Sequence, residues 1–149
     1  MEQSSTFENS TLPFSEELKA YFKEIAKWAF FLSIIGFIGL GLTVLFGLFF
    51  SAFMGAMPSN SYSEIGISPG ILGMIYVVIG MIYFFPVYYL FNFAKKLKSA
   101  LLSNNTEELT AAFSNLKSHY KFVGIFTIVI ISLYLLIFII AIFAGLSSI

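Results

Sequence analysis

The sequence predicts an all-α integral membrane fold: three transmembrane helices with helical extensions on the cytoplasmic side. Three observations predict it. Only 11% of the 149 residues are charged and 58% are hydrophobic, whereas a soluble domain carries about 25% charged residues. The charges are also clustered, with no Lys or Glu between Lys27 and Glu64, between Glu64 and Lys95, or after Lys121. Each gap is long enough to cross a hydrocarbon layer about 30 Å thick, which takes about 20 residues of helix. Finally, all eight lysines lie either before the first apolar run or between the second and third.

The first thirteen residues, MEQSSTFENSTLP, are polar and carry two glutamates but no Lys or Arg. They lack the basic start of a signal peptide, so no cleavage is expected, and residues 1–13 read as a flexible tail. Residues 14–149 then form a single three-helix membrane domain. Helix 1 starts near Phe14 or Ser15. Ser15 can cap the first turn, and Glu16 and Glu17 suit the positive end of the helix dipole. Phe14, Leu18, Tyr21, Phe22, Ile25 and Ala29 recur at helical spacing, with Lys19, Lys23 and Lys27 on roughly the opposite side. The first span is the apolar run 28–57, about 45 Å of helix, long enough to demand tilt or an end standing clear of the lipid.

PSNSYSEIGISP, 58–69, reads as a loop. The second span runs from about 70 to 93, and its helix continues through AKKLKSALL to Leu102. SNN breaks it. Asn105 can cap helix 3, with Glu108 three residues later completing a capping-box pattern. Leu109, Ala112, Phe113, Leu116, Tyr120 and Val123 make the next apolar face, and the third span covers 122–146. Residues 94–121 are thus expected to form a helical hairpin. In it Leu97 and Leu101 face Leu109, Phe113 and Leu116, and Leu18, Phe22 and Ile25 cover the open side.

Orientation follows from the lysines. Basic residues in short loops stay on the cytoplasmic side, and here all eight lie on one side of the three spans. The expectation is a multi-pass protein of the bacterial cytoplasmic (inner) membrane, with the N-terminus and 94–121 cytoplasmic and the C-terminus extracytoplasmic. The abundance of Phe, Ile, Asn and Lys without Arg points, by composition alone, to an AT-biased bacterial genome. In IYFFPVYYLFNFAKKLKSALLSNN, seven aromatic residues crowd positions 83–93 and run into Lys95 and Lys96. Tyr and Trp favour the membrane boundary, and lysine stems snorkel to it. Tyr88, Tyr89, Lys95 and Lys96 therefore read as interface anchors. Trp28, next to Lys27, and Tyr120 and Lys121 serve the other two spans. Pro86 cannot donate to the Ile82 carbonyl, which predicts a kink whose freed carbonyl neighbouring helices must shelter. A packing kink is the plain reading; a gating hinge is the alternative.

Span 1 carries small residues four apart: Gly39, Thr43, Gly47, Ser51 and Gly55. This spacing lets helices approach closely in lipid. The ladder reads as packing against spans 2 and 3, or as a seam between copies, and its inner end is expected to share a face with Leu18, Tyr21 and Ile25. GFIGLG, 36–41, has the wrong glycine order for a dinucleotide loop and no strand before it. His119, the only histidine, reads as an interfacial surface residue, because without Asp or Cys it makes neither a triad nor a standard metal site. No catalytic, cofactor-binding or metal site is expected, and no cofactor. The zero net charge implies no nucleic-acid partner. The spans hold no ionisable residue of the kind coupled carriers use. Thr43, Ser51, Asn92, Thr127 and Ser132 could coordinate something, yet such groups are common helix–helix glue.

FPVYYLFNFAKKLKSAL followed by AAFSNLKSHYKFVGI, covering roughly Phe84 to Ile125, resembles a family of small bacterial membrane proteins known only as a domain of unknown function. The Phe85–Pro86 pair and the run Lys117 to Lys121 carry the resemblance. It implies the three-span topology and carries over no catalytic residue. Two function classes are expected. One is a non-enzymatic scaffold or accessory subunit acting through its cytoplasmic helices, with the lipid bilayer and either itself or another membrane protein as partner. The other is a small homo-oligomeric channel or transport subunit.

Overall fold

The computed structural model describes residues 14–57, 66 and 68–146. The expected tail, most of the 58–69 loop and residues 147–149 lie outside them. Among the described residues the chain forms three helices and no strand: α1 (Glu16–Gly55), α2 (Pro69–Ser103) and α3 (Thr106–Leu146). All three are long and apolar enough to cross a membrane.

Local sequence sets the ends. The Ser15 hydroxyl accepts the Leu18 N–H at 3.3 Å, with Glu16 and Glu17 in the first turn. Pro69 opens α2, where its missing N–H costs nothing. α2 runs unbroken through Pro86 and past the lysines to Ser103. It stops at Asn104, which adopts the left-handed conformation (φ 49°) and returns its N–H to the Ala100 carbonyl. The Asn105 carboxamide oxygen accepts the N–H groups of Glu107 and Glu108 at 2.8 and 3.3 Å. The expected capping box is only half made. The Asn105 N–H goes to the Ala100 carbonyl, so Glu108 has nothing to receive in return, and its Oε2 is buried without a partner.

The helices pack antiparallel in chain order. Phe30–Phe91, Phe37–Phe84 and Phe46–Tyr76 pair α1 with α2. Phe93–Phe113, Phe85–Phe122 and Tyr83–Phe126 pair α2 with α3. α2 is therefore the central helix. Its buried or half-buried residues Gly73, Gly80, Val87, Ala94 and Leu101 stand seven apart, as do Ala26, Ser33, Leu40, Gly47 and Met54 on α1. A seven-residue repeat averages 3.5 residues per turn, the seam of a left-handed helix pair.

That repeat corrects the ladder. A four-residue step overshoots a helical turn by 40°, so five small residues cannot all stay on one seam. Thr43, Gly47 and Ser51 lie on it, whereas Gly39 and Gly55 open onto empty space. At Gly47 an added methyl group would collide with the Tyr76 side chain; at Gly80 it would lie 2.6 Å from Val44, and at Gly73 2.8 Å from Ser51. The Ser51 hydroxyl donates to the Pro69 carbonyl at 2.6 Å and ties the last turns of α1 to the start of α2. The expected common face with Leu18, Tyr21 and Ile25 is also corrected. Those three are exposed, and Phe22, Ala26 and Ala29 turn inward instead.

The densest core sits at the lysine-bearing end. Ala26, Ala29, Phe93, Ala94, Leu97, Leu101 and Ala112 are buried together, flanked by Phe14, Phe22, Leu90, Leu109 and Leu116. Phe113, 39% exposed, stands at the rim with its ring edge-on to Phe22 and Phe93. Leu18 and Ile25 take no part in this core. Burying a side chain such as Phe93 or Leu97 from water is worth about 1.5–3 kcal/mol. That gain disappears between helices already surrounded by lipid, where close backbone approach has to serve instead. The chain matches each end to its solvent: large apolar residues at the charged end, glycine and serine along the apolar seam. α3 parts from the others beyond Ile130, and Ile131 to Ala144 are all exposed.

Candidate functional site: the lysine-bearing end

The start of α1, the end of α2 and the start of α3 meet here, and three features stand out. The first is a node between Pro86 and His119. Pro86 is buried on α2, and half-buried His119 reaches it from α3, with Nδ1 at 2.8 Å from the Pro86 carbonyl oxygen. A carbonyl oxygen can only accept, so Nδ1 carries the hydrogen. His119 is thus a helix-to-helix tie rather than the surface residue expected. The acceptor is Pro86's own carbonyl and not the freed Ile82 carbonyl, so the expected kink did not point to this bond.

The second feature is the set of residues expected at the membrane boundary. Trp28 is exposed, edge-on to Phe31. Tyr88 is exposed and stacks on Phe84, while Tyr89 is half-buried. Lys95 places its ammonium 5.3 Å from the centre of the Phe91 ring, a cation–π arrangement. Lys96, Tyr120 and Lys121 are exposed. These residues do not share one level. The Phe30–Phe91 pairing puts Lys27 level with Lys95, whereas the Pro86–His119 and Phe85–Phe122 pairings put Lys121 level with Phe85 and Pro86. The charged stretch of α3 therefore reaches about 13 Å further along α2 than that of α1.

The third feature is a groove of about 700 Å³ between α1 and α2. Lys23, Lys27 and Phe30 line it from α1, and Lys95, Lys98 and Leu102 from α2; α3 contributes nothing. Read singly in the sequence, these lysines look like separate anchors. The antiparallel register is what gathers them. Among the described residues the only ion pair is Lys19 with Glu16, 2.9 Å apart at the exposed start of α1. The hydrogen bond from Lys19 and its charge hold the Glu16 carboxyl below the ordinary carboxylate value.

Two hydroxyls of the spans are served locally. Thr43 donates to the Gly39 carbonyl and Thr127 to that of Val123, the usual back-bonding of a hydroxyl within its own helix. Among the described residues no three His, Cys, Asp or Glu side chains gather in one place.

The family of unknown function DUF5362 matches residues 66–142, more than half of the chain. The chain belongs to DUF5362. The DUF5362 match takes in α2 and all but the last turn of α3, and so includes Pro86, His119, Lys95 and Lys98. α1, with Lys23 and Lys27, lies before it. No curated protein and no solved structure matches the chain.

Proposed function

We propose that this chain is a multi-pass protein of the bacterial cytoplasmic membrane, and that it works as a non-enzymatic scaffold or accessory subunit through its cytoplasmic helices. In this reading the lysine-bearing end faces the cytoplasm and the C-terminus lies outside. The observation that carries the reading is the division of labour along the helices. A compact side-chain core holds the lysine-bearing ends of all three together, so they present a fixed surface rather than three segments lying flat on lipid. Residues 131–143 of α3 are exposed on every side, a surface for lipid or for another membrane helix.

Native purification with crosslinking tests it. The expected outcome is a stable complex with a second membrane protein, crosslinked through the 94–121 segment or the start of α1. A complex made only of copies of this chain, conducting ions when reconstituted, would replace this reading with that of a small homo-oligomeric channel.

A further inference from the structure

The groove between α1 and α2 combines two chemistries that rarely meet without a reason. Lys23, Lys27, Lys95 and Lys98 are all among its lining residues, and no carboxylate shares the lining. Glu24, which lies between two of them in sequence, is not part of it. None of the four forms an ion pair among the described residues. Phe30, Ala26, Ala94 and Leu102 make the rest of the lining largely apolar. The groove also sits where both helices pass from charged to apolar sequence, at Lys27–Trp28 on α1 and Ala94–Lys95 on α2. An occupant must carry negative charge at one end and hydrocarbon at the other, and it must arrive at the level of a headgroup.

We propose that the groove is a binding site for one anionic phospholipid. Its phosphate sits among Lys23, Lys27, Lys95 and Lys98, and an acyl chain runs from Phe30 along the apolar part of α1. Charge decides the class of ligand: a zwitterionic lipid brings its own cation to a groove lined by four lysines, and an anionic one does not. The apolar floor decides against a free phosphate, which gains nothing from Phe30 or Leu102. Basic pockets between spanning helices are a common way for membrane proteins to hold anionic headgroups.

The test uses the full chain in a neutral detergent and follows its thermal midpoint during titration with phosphatidylglycerol, phosphatidylcholine or glycerol phosphate. Phosphatidylglycerol is expected to raise the midpoint at concentrations where the other two do not. The pair Lys27→Gln and Lys98→Gln is expected to shift that response about thirtyfold to higher concentration, at about fivefold per lysine. Lys23→Gln with Lys95→Gln is an independent groove pair, guarding against misfolding of the first. The pair Lys117→Gln and Lys121→Gln removes the same charge from α3, outside the groove, and is expected to keep the wild-type response. Equal losses in the groove and α3 pairs would reduce the effect to diffuse surface attraction. A matching response to glycerol phosphate would make this a site for soluble anions, and no advantage over phosphatidylcholine would leave no site at all.

Discussion

His119 and Pro86, 33 positions apart in the chain, are joined by a 2.8 Å hydrogen bond from the imidazole Nδ1 to the proline carbonyl. It is a side-chain bond between α3 and the middle of α2, made to the proline's own carbonyl, one turn along from the Ile82 carbonyl that Pro86 leaves without its backbone donor. Replacing His119 by Ala is predicted to cost about 1 kcal/mol, read as a lower thermal midpoint in detergent. Asn at this position retains a donor on a short side chain and is predicted to recover part of the loss. A His119→Ala protein as stable as wild type would show that the bond holds nothing.

Gly47→Leu is predicted to destabilise the α1–α2 pair by about 2 kcal/mol or more, because the new side chain must displace Tyr76. Gly39→Leu, into open space, is predicted to stay within about 0.5 kcal/mol, and Leu48→Ala, on the exposed side, to cost less than Gly47→Leu. Thermal midpoints of the three variants check the order. Equal effects at Gly47 and Gly39 would contradict the seven-residue seam.

Asn105→Ala removes the acceptor of the Glu107 and Glu108 N–H groups and is predicted to cost about 1 kcal/mol, the usual loss at a helix cap. Hydrogen exchange of those two amides gives the local reading. Unchanged protection in the variant would mean that the cap is not what orders the turn.

Reporter fusions at residue 1 and residue 149 are predicted to report a cytoplasmic N-terminus and an extracytoplasmic C-terminus, because all eight lysines lie on one side of the apolar runs. An external N-terminus would overturn the orientation.

The helix ends were legible because their signals are local. Ser15, Pro69 and Asn105 each act on backbone groups within four residues. The α2–α3 turn was legible for the same reason, as a break at SNN with Asn105 as the cap; the left-handed Asn104 within it was not foreseen. The packed faces were harder to read. Where a helix is apolar all round, hydropathy no longer marks the side that meets a neighbour, and small residues are the only guide. Gly39 and Gly55 satisfy a four-residue count as well as Gly47 does, and only the pairing with α2 separates them. Gly73 and Gly80, seven apart, held the better signal, since their spacing matches the repeat that α1 follows. The Pro86–His119 node and the lysine groove needed the register between helices, which no single segment contains.

The unequal levels of the charged ends have a consequence for the sheet around the protein. Headgroups gather at charged and aromatic side chains, so in a bilayer the leaflet meets α1 near Trp28 and Lys27 and meets α3 about 13 Å deeper, near Tyr120 and Lys121. Long lysine stems recover part of the difference. The remainder falls on the lipid, at a fraction of a kcal/mol for each ångström of misfit. A flat slab of even thickness would not satisfy both flanks at once; with Trp28 and Tyr120 as its anchors the molecule would act as a wedge, straining the leaflet along one flank and least where the surface is already curved or thin.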